Sequence, residues 1–227
     1  MLISVCIPCG NRLRDLKVTL PTVIEAANNS PPVEIVVLDY NSSDNVAGFI
    51  RETQLGTRWE NGTKLEYRRY GDGGHYHMAH ARNLSVVASK GDYVLTASAD
   101  LLMRADYLES VRAAAEQGYI WIHHPEKFVG VVCVLREEFM AAGGFDERFE
   151  FYGKEDKDLF LRLKRRGASH CEIPARLLNR PTPWPDKIKN YRLPLSRREM
   201  SKLSKAIYQE NIDAGVLVAN EGKEWRR

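Results

Sequence analysis

The property that most constrains this chain is a regular alternation of short β-rich runs with helical patterns, beginning at its first residues. Residues 2–7 read as a strand, 13–28 as a helix and 33–38 as a second strand, and a mixed segment leads to a third at 65–69. A helix over 78–88 precedes the strand 93–96, and 107–117 is again helical. Strands separated by helices pair in parallel, because a parallel connection needs room to cross over. The pattern therefore predicts an α/β fold with a mostly parallel sheet covered on both faces. Two further β-like runs, 119–122 and 129–135, come before a helix starting near Glu155. Beyond Pro174 the pattern loosens. Pro181, Pro183 and Pro185 mark a loop around Trp184, and a last helix over 197–211 is expected to pack on the body or on a second subunit.

A chain of 227 residues is long enough to bury a full core, as one large domain or a domain with a tail. Its formal charge of +3 is too small to announce a polyanionic partner, and the basic clusters at 162–166 and 187–198 read as solvated faces. No apolar run approaches the ~20 residues that span a bilayer. The opening MLISVCIP reads as a first strand rather than a signal peptide, so a cytoplasmic location is expected and the sequons at Asn41, Asn61 and Asn83 carry no meaning. Cys6 and Cys9 have Cys-x-x-Cys spacing, but Cys6 lies inside a strand and no second pair completes a zinc site. That pair does not read as a redox or metal site, and Cys133 and Cys171, in apolar strand-like contexts, read as small core residues.

In open sheets of this kind ligands bind beyond the carboxyl ends of the strands. Asp39 ends the second strand among the turn formers Asn41, Ser42 and Ser43, where it reads either as a turn cap or as a ligand contact. Asp100 follows the strand 93–96 and offers a hard oxygen suited to magnesium or manganese. At 143–163 a diglycine turn and an aromatic loop lead into Glu155-Asp156. Asp156, Leu159, Phe160 and Leu163 recur at i, i+3, i+4, i+7, which continues an apolar stripe to Asp156 and leaves Lys157, Lys164 and Arg165 to solvent. Acidic residues there equally complement the positive end of the helix dipole. His75, His77 and His80 form a cluster whose spacing suits neither a helix face nor a strand face. The alternative is a glycine-led loop, hinged at Gly73-Gly74, that closes over a ligand.

Four blocks in order, SVCIPCGNR, LDYNSSDN, AHARNLSVVASKGDYVLTASAD and GGFDERFEFYGKEDKDLFLRL, resemble the GT-A glycosyltransferases, in particular the large inverting family 2. The resemblance runs from Leu2 to about Pro174. It implies a GT-A domain over 1–180, with a nucleotide-sugar half at about 1–103, an acceptor half at about 104–180 and a loop-and-helix extension at 181–227. It also implies transfer of a sugar from a nucleotide diphosphate sugar, usually UDP-linked, to a glycan or other hydroxyl acceptor, with inversion. Pro8, Asn11 and Arg12 match the family's Pro-x-x-Asn-Arg turn, Asp39 the residue that contacts the base, and Arg82 a residue that positions the nucleotide. Asp100 falls on the metal-binding Asp-x-Asp, here Ser98-Ala99-Asp100, and Asp156 on the catalytic base, preceded by Glu155. The divalent cation so implied, manganese or magnesium, has Asp100 as ligand and His170 as the one histidine placed to assist, although the latter reads equally as an edge-strand residue. Ser98 is a weaker ligand than the family's aspartate, which lowers the expected affinity for the cation. Tyr152 and Trp184 are the aromatic platforms expected on the acceptor side. Two alternatives stand beside this reading: a non-catalytic nucleotide-sugar-binding protein, suggested by the eroded metal motif, and a glycosyltransferase acting on modified bases in nucleic acid, suggested by the basic tail.

Overall fold

The structure is a computed structural model that describes residues 1–223 other than 58, 61, 73, 125–129, 175, 181, 182, 194 and the side chain of Trp184. In chain order the elements are β1 (Ile3–Cys9), α1 (Leu13–Asn29), β2 (Val33–Tyr40), α2 (Val46–Gly56), β3 (Lys64–Tyr70), α3 (Met78–Val87), β4 (Tyr93–Thr96), β5 (Leu101–Met103), α4 (Tyr107–Glu116), β6 (Trp121–His123), β7 (Cys133–Leu135), α5 (Arg136–Ala141), α6 (Glu155–Arg165), β8 (His170–Glu172), β9 (Leu177–Asn179), α7 (Trp184–Ile188) and α8 (Arg197–Asp213). Seven strands form one sheet in the order β3-β2-β1-β4-β7-β6-β8. β3, β2, β1 and β4 pair in parallel, β7 runs antiparallel to both its neighbours, and β6 and β8 return to the first direction. β5 and β9 make a small antiparallel ribbon.

Every residue of β1 and β2 is buried, as expected of central strands covered on both faces. One core lies between the sheet and the apolar faces of α1 and α4, where Leu16, Leu20 and Val23 meet Tyr107, Leu108 and Val111. The other lies on the opposite face under α3, α5 and α6, around Trp121, Phe139, Phe145 and Leu159.

The inner face of α6 is not the stripe that its sequence suggests. Glu155, Asp158, Leu159, Arg162 and Leu163 are buried, so the stripe is rotated by one residue and Asp156 is only half-buried. The reason is an ion pair that spacing rules count as surface: Asp158 and Arg162, one turn apart, satisfy each other in the interior. Arg162 is therefore not part of a solvated face, whereas Lys157, Lys164 and Arg165 are exposed.

α8 and the segment at 219–220 are folded onto the body. Asn211 of α8 donates hydrogen bonds to Asp158 at 2.7 Å and Asp146 at 2.9 Å. The segment at 219–220 packs directly on the diglycine turn, where Gly143 has φ +73° and a Cβ would stand 1.9 Å from the Ala219 carbonyl oxygen. Glycine is required there on both counts. Among the described residues no helix is long and apolar enough to cross a membrane.

Candidate active site

The carboxyl ends of β1 and β4 open on one cleft. Pro8 and Arg12 reach it from the end of β1, Ser98 and Asp100 from the end of β4, Arg82 from α3, and Tyr152 from the loop before α6. Sheet topology explains this gathering, since adjacent parallel strands deliver their outgoing loops to the same edge.

Asp100 is the polar centre of the cleft floor. One of its oxygens accepts a hydrogen bond from the Ser98 hydroxyl at 2.7 Å. The other lies 3.2 Å from an Arg12 nitrogen and 3.3 Å from the Lys187 ammonium. Burial alone would favour the neutral acid, but the Ser98 hydroxyl, Arg12 and Lys187 together hold the carboxyl below its ordinary pKa. Arg12 in turn pairs with the buried Asp15, which is also 3.2 Å from Arg180.

Arg82 forms the opposite wall. It lies 3.1 Å from Glu155 and over the Phe145 ring, 5.1 Å from its centre. Burial pushes the Glu155 carboxyl up to about 7 despite Arg82, and the nearby Asp156 charge adds to the rise. Asn83 donates to the Phe145 carbonyl and accepts from the Phe145 N–H, both at 2.8 Å, which ties α3 to the loop that leads into α6. Asp156 begins the first turn of α6 beside Glu155 and accepts from the Lys157 N–H at 2.7 Å. It does not line the cleft itself.

The remaining candidates separate. Asp39 is fully buried and does not line the cleft. Its oxygens accept from the Ser42 N–H at 3.0 Å, the Tyr67 hydroxyl at 2.7 Å and Arg69 at 2.9 Å, so in this structure it caps a turn. Asn11, at φ +52°, braces neighbouring loops: it accepts from the Ser43 N–H and donates to Asn190. His170 is corrected as a partner of Asp100. It is exposed on the edge strand β8, stacked 4.7 Å from Trp121, and three strand positions from β4. The histidine cluster is likewise no metal site, since His77 caps α3 and contacts the Glu147 carbonyl while His80 meets the Tyr40 hydroxyl. Among the described residues no three His, Cys, Asp or Glu side chains are arranged to hold a metal ion. The Trp184 side chain and Gly73 lie outside the described residues. Cys6 and Cys9 are free and buried, and burial pushes both thiols up to about 12.

Sequence reading missed Tyr76, Lys187, Asn190 and Tyr191, all of which line the cleft. Gly10 is the one local signal for Tyr76, because a Cβ there would stand 2.5 Å from its ring. Lys187 and Asn190 carry no such mark in a segment that reads as a solvated basic tail.

The sequence profile of glycosyl transferase family 2 matches residues 4–169. The chain belongs to glycosyl transferase family 2. Chondroitin synthase of Pasteurella multocida (strain Pm70) is 27% identical over 139 residues, which are 61% of this chain and 14% of that protein. The chain thus spans a small part of the length of that curated relative. Among solved structures, S. aureus TarS in complex with UDP superposes with a TM-score of 0.64 at 14% identity, covering 94% of this chain and 72% of that one. Drosophila β-1,4-galactosyltransferase 7 in complex with manganese, UDP-Gal and xylobiose gives 0.59 at 16% identity, covering 88% and 78%. At these identities the likeness is one of fold.

Proposed function

We propose that the protein transfers a sugar from a nucleotide diphosphate sugar, UDP-linked by preference, to an acceptor hydroxyl with inversion. One observation supports this reading: the residues that match the family's nucleotide side, Pro8, Arg12, Arg82 and Asp100, line a single cleft in which Arg12 and Lys187 stand beside Asp100. Arg12 and Arg82 present planar donor forks suited to phosphate oxygens. In the reaction an acceptor oxygen attacks the anomeric carbon, the bond from that carbon to the phosphate oxygen breaks, and its electron pair leaves with the diphosphate. Asp156 takes the acceptor's proton as general base from the first turn of α6, next to the Glu155 that pairs with the cleft residue Arg82. Glu155 anchors that turn through Arg82 and couples the two halves of the site. Tyr152, 40% exposed, offers its ring to the acceptor.

Two of the similar structures hold manganese with their nucleotide sugars. Asp100, ionised and facing the cleft, is a hard oxygen donor that fits a cation taking most of its shell from phosphates and water. Such a cation would supply Lewis-acid stabilisation of the leaving diphosphate.

Asp156→Asn is expected to lower turnover of UDP-sugars about 10²- to 10⁴-fold, measured as UDP release, while UDP affinity stays within about twofold. Undiminished UDP release by Asp156→Asn would remove Asp156 as the base. Nucleotide binding without turnover of any donor by the wild type would leave a binding protein.

A further inference from the structure

Lys187 stands over the cleft on a segment beyond the part of the chain that the family profile covers. Three contacts hold the segment there through Asn190: its side-chain amide donates to the Gly10 carbonyl at 3.0 Å, its side-chain oxygen accepts from Asn11 at 2.9 Å, and its carbonyl accepts from the Tyr76 N–H at 2.8 Å. Tyr191 follows, buried against Met78, Tyr76 and Phe151. These anchors fix the backbone, while the lysine side chain, paired with Asp100, remains 34% exposed.

Two cations meet one carboxylate at the cleft floor, where a single Asp100 oxygen serves both Arg12 and Lys187. Of the two cations on Asp100, Lys187 has the wetter side chain, 34% exposed against 17% for Arg12, so it is the easier to surrender to a stronger acceptor. A diphosphate in the cleft carries more charge than the carboxylate and offers several oxygens within the sweep of a flexible ammonium.

We propose that Lys187 is a diphosphate-binding residue, passed from Asp100 to the donor's phosphates when the nucleotide enters. This deepens the glycosyl-transfer reading and rests on it. Lys187 then supplies positive charge from the chain itself, and its departure frees an Asp100 oxygen. Nucleotide binding should therefore survive removal of divalent cations, and loss of Lys187 should make it lean on them.

The test is calorimetric titration of the full chain with UDP and with uridine, in EDTA and in manganese. Wild type is expected to bind UDP in EDTA, and Lys187→Ala to bind it about 10- to 100-fold more weakly there, as loss of one charge-assisted hydrogen bond implies. Lys187→Arg should restore most of the affinity, uridine binding should not change, and manganese should narrow the gap between wild type and Lys187→Ala. Equal UDP affinity of wild type and Lys187→Ala in EDTA would overturn the proposal, as would a parallel loss of uridine binding, which marks a merely structural role. Wild type binding no nucleotide under either condition would instead sink the glycosyl-transfer reading, and this proposal with it.

Discussion

Two ion clusters fasten the C-terminal part of the chain to the body, and they differ in water rather than in chemistry. On α6, Asp158 and Arg162 are 0% and 1% exposed and 2.7 Å apart. The other Arg162 N–H groups donate to the carbonyls of Ala142 at 2.6 Å and Gly144 at 2.8 Å, and the second Asp158 oxygen accepts from Asn211. Each charge is desolvated and fully matched, so neither can change partner without leaving the other bare. At the cleft, Asp100, Arg12 and Lys187 are 11%, 17% and 34% exposed and two cations share one oxygen. That arrangement is easily rewritten by an arriving anion. A closed cluster locks a helix in place; an open one can exchange ligands.

The largest expected effect lies in the closed cluster. Arg162→Leu leaves Asp158 buried without its cation and should cost about 3–5 kcal/mol of stability in urea denaturation. Asp100→Asn should cost about 1 kcal/mol or less, since its partners are partly wet, and should act instead on UDP binding. If Asp100→Asn proved the more destabilising of the two, the distinction between the clusters would fail.

The same contrast explains what could be read from the sequence. The sheet was legible because buried parallel strands leave apolar runs, and up to residue 117 the elements follow that pattern except for α2, inside a segment that reads as mixed, and β5, which leaves no such run. The cleft floor was legible where residues sit at strand ends, as Pro8, Arg12 and Asp100 do. The register of α6 was not, because Asp158 and Arg162 bury each other and periodicity treats charge as surface. Asp39 was ambiguous for a related reason: a carboxylate after a strand can face a ligand or its own turn, and the Tyr67 and Arg69 donors that hold it here come from β3, distant in sequence. Lys187 was invisible because nothing local distinguishes a lysine that folds back over a cleft from one in solvent.

A pH titration sharpens the comparison within the site. Glu155 has its pKa raised from 4.5 to about 7, so between those values the unfolded chain has released a proton that the folded chain retains. Stability should fall as pH rises through that window, by about 1–3 kcal/mol, and level off above it. Asp100 has the opposite sign: its lowered pKa contributes stability above the ordinary carboxylate range that is lost as pH falls through the folded value. Glu155→Gln should flatten the slope between pH 4.5 and 7 and leave the acid limb in place. An unchanged slope in Glu155→Gln would mean that this carboxylate is not the desolvated one.

The smallest effect tests whether α8 is held by its far end. Its start is an exposed capping box, in which the Ser196 hydroxyl accepts from the Glu199 N–H at 3.3 Å and the Glu199 carboxylate accepts from the Ser196 N–H at 2.8 Å. Its far end carries Asn211, buried and bonded to Asp146 and Asp158 of the closed cluster. Ser196→Ala removes one local acceptor, which solvent largely replaces, and should lower stability by about 0.5–1 kcal/mol, or roughly 2 °C in Tm. Asn211→Ala strips a donor from two buried carboxylates and should cost more than Ser196→Ala by about 1 kcal/mol or above. Calorimetric unfolding of the two variants side by side reads the difference directly. A larger loss from Ser196→Ala would mean that the helix is anchored by its cap and that the closed cluster merely accompanies it.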